Sequence, residues 1–171
     1  MATLHHNISG ELTQELLAPG ENVKVSKISL TNVQKVSKCK VDLYINRVAG
    51  EDYGKFYLLK GVELPIGATL IYDDIKFNNA VYGLYIKLTD GATFTLTGSI
   101  DPTASTTVTG VSTLFLSEVS IGDEILVSSE TRTVSAIASD TSLTVSVATT
   151  NTANDTTPDC NPTALVDVII N

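Results

Sequence analysis

The sequence predicts an all-β protein: an antiparallel β-sandwich, jelly-roll or immunoglobulin-like, with a small β-barrel or β-sandwich module inserted before its last strand. Short runs rich in Val, Ile, Leu and Thr alternate apolar with polar residues, and turn residues separate them, as in antiparallel sheets. The chain has 171 residues, of which 43% are hydrophobic, and this is enough for one large or two small packed cores.

The first module is expected to begin with an N-terminal segment that is separate from its strands. The run Ile8–Leu17 has helical spacing at Leu12, Leu16 and Leu17, whereas Ser9-Gly10 and the following turn Ala18-Pro19-Gly20 favour an extended arm, so both conformations stay open. The next runs predict strands, and Pro65–Ala68 predicts a turn between two of them. These strands are Val23–Val33 with a β-bulge, Lys40–Val48, Lys55–Leu64, Thr69–Tyr72, Val81–Leu88 and Thr93–Ile100.

Two apolar runs carry specific expectations about burial. Lys55–Leu64 is continuously apolar in its centre, which predicts a strand buried on both faces. Ala164–Ile170 is too apolar for a loose tail, so it should be a buried strand of the first module. We expect its residues to pack in one core with those of the Lys40–Val48 strand, namely Val166, Val168 and Ile170 with Val41, Leu43 and Ile45.

The segment Thr106–Thr149 reads as a second β module. Its runs alternate as half-buried strands do, and a Gly-Asp turn at Gly122-Asp123 and an Asp-Thr-Ser turn at Asp140 separate them. The polar stretch Thr149–Pro158 has nothing to bury and is expected to link this module to the last strand.

The distribution of charge supports two modules. Up to Lys87 the chain holds ten of its eleven basic residues and nine of its nineteen acidic residues, whereas the remainder holds only Arg132 and ten acidic residues. We therefore expect a first sandwich formed by residues 1–100 and 163–171, and an acidic inserted module formed by residues 101–162, with the seam near Ile100.

Charge and hydropathy exclude several partners. A net charge of −8 disfavours nucleic acid, and a group of lysines (Lys24, Lys27, Lys35, Lys38 and Lys40) is better explained as a solvated face or as protection of an edge strand. No apolar run is long enough for a membrane span, and the N-terminus lacks the pattern of a signal peptide. We expect synthesis in a cytoplasm-like compartment.

Neither catalysis, nor a cofactor, nor a metal is expected. His5 and His6 are the only histidines and have no Cys, Asp or Glu near them in sequence, so they are read as a solvated arm. Asp73-Asp74 with Asn78-Asn79 could offer oxygen ligands to calcium, but the spacing lacks the EF-hand pattern and favours a turn. Cys39 and Cys160 are expected to be free thiols, with a disulfide as the alternative.

The first module resembles small virion structural proteins of tailed phages, notably those that infect cyanobacteria, and the second resembles a β module found in phage fibre, neck and tail proteins. The resemblance rests on Asn7–Gly10, Glu15–Gly20, Val25–Asn32, Tyr57–Lys60, Leu64–Leu70, Tyr82–Leu88 and Val166–Ile170, and on the insert motifs Gly122-Asp123 and Asp140–Thr144. The resemblance implies a protein that is made in the host bacterial cytoplasm and located in the virion, with the first module as its virion-anchoring domain.

The favoured function is a capsid decoration protein that forms homo-oligomers, with a trimer preferred and with the major capsid protein or neck and tail proteins as partners. The arm from Ala2 to Gly20 is expected to make the assembly contacts, because Leu4, Ile8, Leu12, Leu16 and Leu17 have no evident place in the sandwich. The alternatives are a neck, tail or fibre protein and, third, a carbohydrate-binding module. The third is weakened by the absence of Trp and by Tyr and Phe residues that fall in apolar runs, so a receptor glycan is the least favoured partner.

Overall fold

The computed structural model describes residues 3–48, 53–73 and 75–171, and in these ranges it consists of antiparallel strands with one four-residue helix. The expected all-β antiparallel fold is therefore confirmed. The chain divides into two compact units. Unit 1 comprises Met1–Val33, Lys38–Asp90 and Ala164–Asn171, and unit 2 comprises Gln34–Ser37 and Gly91–Thr163.

Unit 1 contains two four-stranded antiparallel sheets. Its strands are β1 (Leu4–Ser9), β2 (Gln14–Leu17), β3 (Lys27–Asn32), β4 (Cys39–Asn46), β5 (Phe56–Leu64), β6 (Thr69–Asp73), β7 (Gly83–Thr89) and β15 (Leu165–Ile170). The order in the first sheet is β1-β15-β3-β6, and the order in the second is β2-β7-β4-β5. Side chains of both sheets form one apolar core, which is the arrangement of a β-sandwich.

The C-terminal strand β15 lies inside the first sheet, between β1 and β3. It pairs with β1 from Leu165 to Ile170 and with β3 from Val166 to Ile170. Its inward side chains Val166, Val168 and Ile170 are buried in the same core as Val41 and Leu43, and Ile45 packs against that core. This confirms the packing expected from the sequence.

Strand β5 corrects one expectation, because it is not buried on both faces. It is the edge strand of the second sheet, and most of its residues are exposed or half-buried. A β-bulge opposite Asp42 interrupts its pairing with β4; Gly61 has φ +60° there and donates its N–H to Asp42 Oδ1 at 2.6 Å. The strands with the deepest burial are instead β4 and β7, which lie inside the sheet.

Unit 2 contains a seven-stranded antiparallel sheet in the order β8-β14-β11-β12-β13-β10-β9. The elements are β8 (Phe94–Thr95), β9 (Ser99–Pro102), β10 (Thr107–Val111), α1 (Phe115–Glu118), β11 (Glu124–Val127), β12 (Glu130–Ser139), β13 (Ser142–Val145) and β14 (Asp159–Asn161). An isolated bridge pairs Ile100 of β9 with Asp155, which precedes β14, through two backbone hydrogen bonds of 2.8 Å. This bridge thus joins a segment from one end of the sheet to a segment near the other end.

The expected seam near Ile100 is wrong, because the chain enters unit 2 at Gly91. Strands β8 and β9 pair with β14 and β10, and Leu96 and Ile100 are buried in the core of unit 2. The chain returns to unit 1 at Ala164, whose N–H donates to Asp90 Oδ1 at 2.6 Å. This hydrogen bond therefore holds the two ends of the segment 91–163 close together. Gln34–Ser37 also belong to unit 2, which the sequence analysis did not anticipate.

Each core contains one of the two cysteines. Cys39 is buried in the core of unit 1, Cys160 is buried in the core of unit 2, and both are free thiols. Burial raises the pKa of Cys39 to about 11 and that of Cys160 to about 12, and the nearby Asp90 and Asp123 carboxylates add to these shifts. A thiol of this kind reacts only when its unit opens, so each cysteine reports the stability of its own unit.

Gly98→Ala should destabilise unit 2 by about 2–4 kcal/mol. Gly98 has φ +82°, and a Cβ built on it would meet the backbone of Val111 and Ser112, which cannot shift as a flexible side chain could. Thiol labelling of Cys160, read by peptide mass mapping, measures the effect.

Gly122→Ala is the matched control, because Gly122 also has a positive φ of 96° but has no atom within 4 Å of the added Cβ. It should cost only about 1 kcal/mol. Equal effects of the two substitutions on Cys160 labelling would contradict the close approach at Gly98.

Candidate functional site

The predicted assembly arm is not a separate segment, and this expectation is corrected by the structure. Strands β1 and β2 belong to the two sheets of unit 1, and Ile8, Leu16 and Leu17 are buried in its core because these strands pair with β15 and β7. Leu4 packs against that core, and Leu12, which lies between the strands, is 79% exposed. Removing this segment would remove one strand from each sheet; Ala2 lies outside the described residues.

The other polar residues considered for binding have structural roles. In the described residues no three His, Cys, Asp or Glu side chains converge on a possible metal position. Asn79 is buried, accepts a hydrogen bond from Val23 N at 2.9 Å and donates to the carbonyls of Ala18 and Tyr82. The Asn78-Asn79 segment is therefore a hydrogen-bonded turn; Asp74, the other part of the proposed calcium site, lies outside the described residues.

The most distinctive surface of unit 1 is a row of tyrosines across its second sheet. Cross-strand pairing aligns Glu15, Tyr85, Tyr44 and Tyr57 on β2, β7, β4 and β5. The rings of Tyr44 and Tyr85 stack with centroids 5.8 Å apart, and those of Tyr44 and Tyr57 are 5.5 Å apart. We call these three residues the tyrosine row.

Hydrogen bonds and cations fix the rings of the tyrosine row. Tyr85 Oη donates to Glu15 Oε2 at 3.0 Å; burial raises the pKa of Tyr85 to about 12, and the Glu15 carboxylate adds to the rise. Lys55 Nζ lies 5.0 Å from the Tyr44 ring centroid, and Lys60 Nζ lies 4.4 Å from that of Tyr57. The surface thus combines aromatic faces with lysine cations.

An aromatic cavity lies at the end of the second sheet, where β4 ends and β5 and β7 begin. The cavity has a volume of about 400 Å³ and is lined by Asn46, Arg47, Val48, Tyr53, Gly54, Phe56 and Tyr82. Tyr53 is 75% exposed and Phe56 is 56% exposed. The structure therefore brings five of the six tyrosines to the second sheet and its end; Tyr44 and Tyr85 are buried there, whereas Tyr53 and Tyr57 are exposed.

A signal for this surface is present in the sequence. Tyr44 lies between Leu43 and Ile45, and Tyr85 lies between Leu84 and Ile86. Since successive side chains of a strand point to opposite faces, each tyrosine must leave the face that its apolar neighbours share.

Unit 2 contains a buried polar cluster around Asp123, whose side chain is fully buried. Its Oδ1 accepts hydrogen bonds from Gln34 Nε2 at 2.8 Å and from Thr163 N at 3.0 Å, and its Oδ2 accepts one from Ser120 N at 2.7 Å. Burial raises the pKa of Asp123, and these donors partly oppose the rise. Because Gln34 and Thr163 each adjoin a point where the chain changes unit, the cluster has a structural role at both crossings.

The two units differ in charge. Unit 1 has nine basic and eleven acidic residues, whereas unit 2 has two basic and eight acidic residues. Unit 1 therefore carries most of the cations together with the tyrosine row and the aromatic cavity. The tyrosine row and the aromatic cavity make unit 1 the better candidate for binding a partner surface, because aromatic residues are enriched in interfaces.

No family model, curated protein or solved structure matches this chain. Among the residues described, no helix combines the length and apolar character needed to cross a membrane. The argument about function therefore rests on the surfaces of the two units.

Asp123→Asn should destabilise unit 2 by about 1–3 kcal/mol, because three N–H donors converge on the two carboxylate oxygens and the amide nitrogen would face one of them in either orientation. Denaturant-dependent labelling of Cys160 measures the change.

Asp159→Asn provides the comparison, because Asp159 Oδ1 accepts an exposed hydrogen bond from Thr95 Oγ1. It should change the free energy of unfolding by less than about 0.5 kcal/mol. An Asp123→Asn protein as stable as the Asp159→Asn protein would refute the structural role of the cluster.

Proposed function

We propose that this protein is a non-enzymatic structural component of a tailed-phage virion, and that it decorates the capsid surface as a homo-oligomer. In this proposal unit 1 binds the particle and unit 2 faces solvent. The observation that carries the proposal is the tyrosine row with its flanking lysines on unit 1, set against the acidic surface of unit 2. The sequence resemblance to small virion proteins supports the same assignment.

The tyrosine row suits a protein interface on physical grounds. Tyrosine gives a large contact area with few rotatable bonds, and it retains a polar hydroxyl that can find a partner. Tyr57 is the member that is accessible, at 41% exposure, while Tyr44, whose ring contacts it, and Tyr85, which stacks on Tyr44, are buried. Tyr57 is therefore the residue expected to contribute most to attachment.

Subunit contacts are assigned to faces of unit 1 and not to its sheet edges. The edge strand β5 has the bulge at Gly61 and the charged side chains Lys55 and Lys60 beside it, which discourage indiscriminate strand pairing. Repeated parts of a particle usually assemble with closed symmetry. We expect a trimer, measured by light scattering of the purified protein, and a monomer at tens of micromolar would contradict this part of the proposal.

The alternative position is the neck, the tail or a fibre. It is favoured by the sequence motifs Gly122-Asp123 and Asp140–Thr144 of unit 2, which resemble a β module of those parts, and it would make unit 2 the contact surface. In that case exposed apolar residues of unit 2, such as Val147, would matter more for attachment than Tyr57.

The experiment is an attachment assay with particles that lack this protein. Purified protein is added to the particles, and bound protein is quantified and located by immunogold labelling. Tyr57→Ala should weaken attachment at least tenfold, which corresponds to about 1.4 kcal/mol, since truncation of a central interface tyrosine typically costs this much. Val147→Ala in unit 2 is the control and should bind as the unmodified protein does.

The location of the label separates the alternatives. Gold on the capsid faces together with a Tyr57→Ala defect is the expected result. Label confined to the neck or tail would replace capsid decoration by the alternative position. Absence of the protein from wild-type particles would contradict a virion function altogether.

A further inference from the structure

The aromatic cavity of unit 1 has the size and lining of a small-ligand site. Its volume of about 400 Å³ lies within the range of about 300–1,000 Å³ that is usual for such sites. The register pairs Ile45 with Phe56 and Asn46 with Gly83, so the end of β4 and the beginnings of β5 and β7 meet at one end of the sheet. Asn46 and Phe56 are positioned by these strands, whereas Arg47, Val48, Tyr53 and Gly54 lie between β4 and β5, outside the paired residues.

Two contacts hold the walls in a defined orientation. The rings of Phe56 and Tyr82 meet edge to face, with centroids 5.8 Å apart and an interplanar angle of 87°. The Arg47 guanidinium lies 5.3 Å from the Tyr82 ring centroid, and its Nη2 donates to Tyr82 Oη at 3.4 Å. One wall thus presents aromatic surface, and another presents the N–H groups of a guanidinium.

We propose that this cavity binds a neutral pyranose sugar. A pyranose has an apolar face of C–H groups, which can lie on the exposed ring of Phe56 or Tyr53, and an edge of hydroxyls, which can accept hydrogen bonds from Arg47. Over long range the net charge of −8 disfavours the approach of acidic sugars in spite of the Arg47 cation in the lining, so the proposal is for a neutral sugar. This inference does not depend on the proposed virion role.

The N–H donors of Arg47 favour a sugar over the other candidate occupant, which is an apolar side chain of a partner protein. The contacts of the Arg47 guanidinium recorded among the described residues are both with Tyr82, so several of its five N–H donors face the cavity or solvent. An aliphatic or aromatic side chain in the cavity would remove water from these donors without replacing its hydrogen bonds, which is costly. Sugar hydroxyls would replace the hydrogen bonds that the displaced water made with Arg47.

The direct test uses the full-length protein and methyl glycosides of glucose, galactose and mannose as probes. Saturation-transfer NMR should detect at least one of them at about 20 mM, because a single sugar typically binds with millimolar affinity, and titration then gives the dissociation constant. A printed array of neutral oligosaccharides identifies the preferred glycan.

Three substitutions assign the binding to the cavity. Phe56→Ala and Arg47→Ala should each weaken binding of the selected glycoside at least tenfold, whereas Tyr57→Ala, on the same strand as Phe56 but outside the cavity lining, should leave it unchanged. Protection of Cys39 against labelling shows that unit 1 of each variant is folded.

Several results would overturn the inference. They are an absence of saturation transfer from every neutral glycoside together with an unresponsive array, binding of acidic sugars alone, and equal binding by the Phe56→Ala and unmodified proteins. A Phe56→Ala protein that loses attachment to particles, while the unmodified protein binds no glycoside, would assign the cavity to a partner side chain. Because Tyr57→Ala tests attachment and Phe56→Ala tests sugar binding, failure of one proposal is distinguishable from failure of the other.

Discussion

The pairing of β15 between β1 and β3 is the constraint on which unit 1 depends. Without β15 the first sheet has no connection between β1 and β3, and Val166, Val168 and Ile170 are missing from the core. Strands β1 and β15 are almost the whole chain apart in sequence, so this sheet closes only after the chain has returned from unit 2. The hydrogen bond from Ala164 N to Asp90 Oδ1 explains how a 91–163 excursion is tolerated, since it holds the departure and return points together.

The two faces of the second sheet carry different residues. The inward residues, such as Leu43, Leu84 and Ile86, are buried in the core, while the alternate positions on the same strands carry the tyrosine row. The proposed contact surface would therefore rest on paired strands instead of loops, and the core behind those strands would set its geometry. In unit 2 the Asp123 cluster has a structural role. Its hydrogen bonds connect Gln34 and Thr163, which adjoin points at which the chain enters and leaves that unit.

Sequence periodicity predicted the all-β class and the packing of β15, because apolar alternation directly reflects burial of one sheet face. It could not assign Phe94–Pro102 to unit 2, since a Thr-rich strand pairs equally well in either unit and only long-range partners decide. The arm was misread for the same reason: Ile8, Leu16 and Leu17 find their partners on β15 and β7, far along the chain. Sequence periodicity did not predict the aromatic surface, because tyrosine is apolar enough to be interpreted as a core residue. No pattern in the sequence pointed to Arg47.

The most direct test of the account removes residues 164–171 and measures thiol labelling of both cysteines in the same sample. Loss of three buried aliphatic side chains, at about 1.5–3 kcal/mol each, together with the central strand should unfold unit 1 and leave unit 2 intact. The account predicts rapid labelling of Cys39, continued protection of Cys160, and recovery of Cys39 protection when a synthetic peptide of residues 164–171 is added. A truncated protein in which Cys39 remains as protected as in the full chain would contradict it.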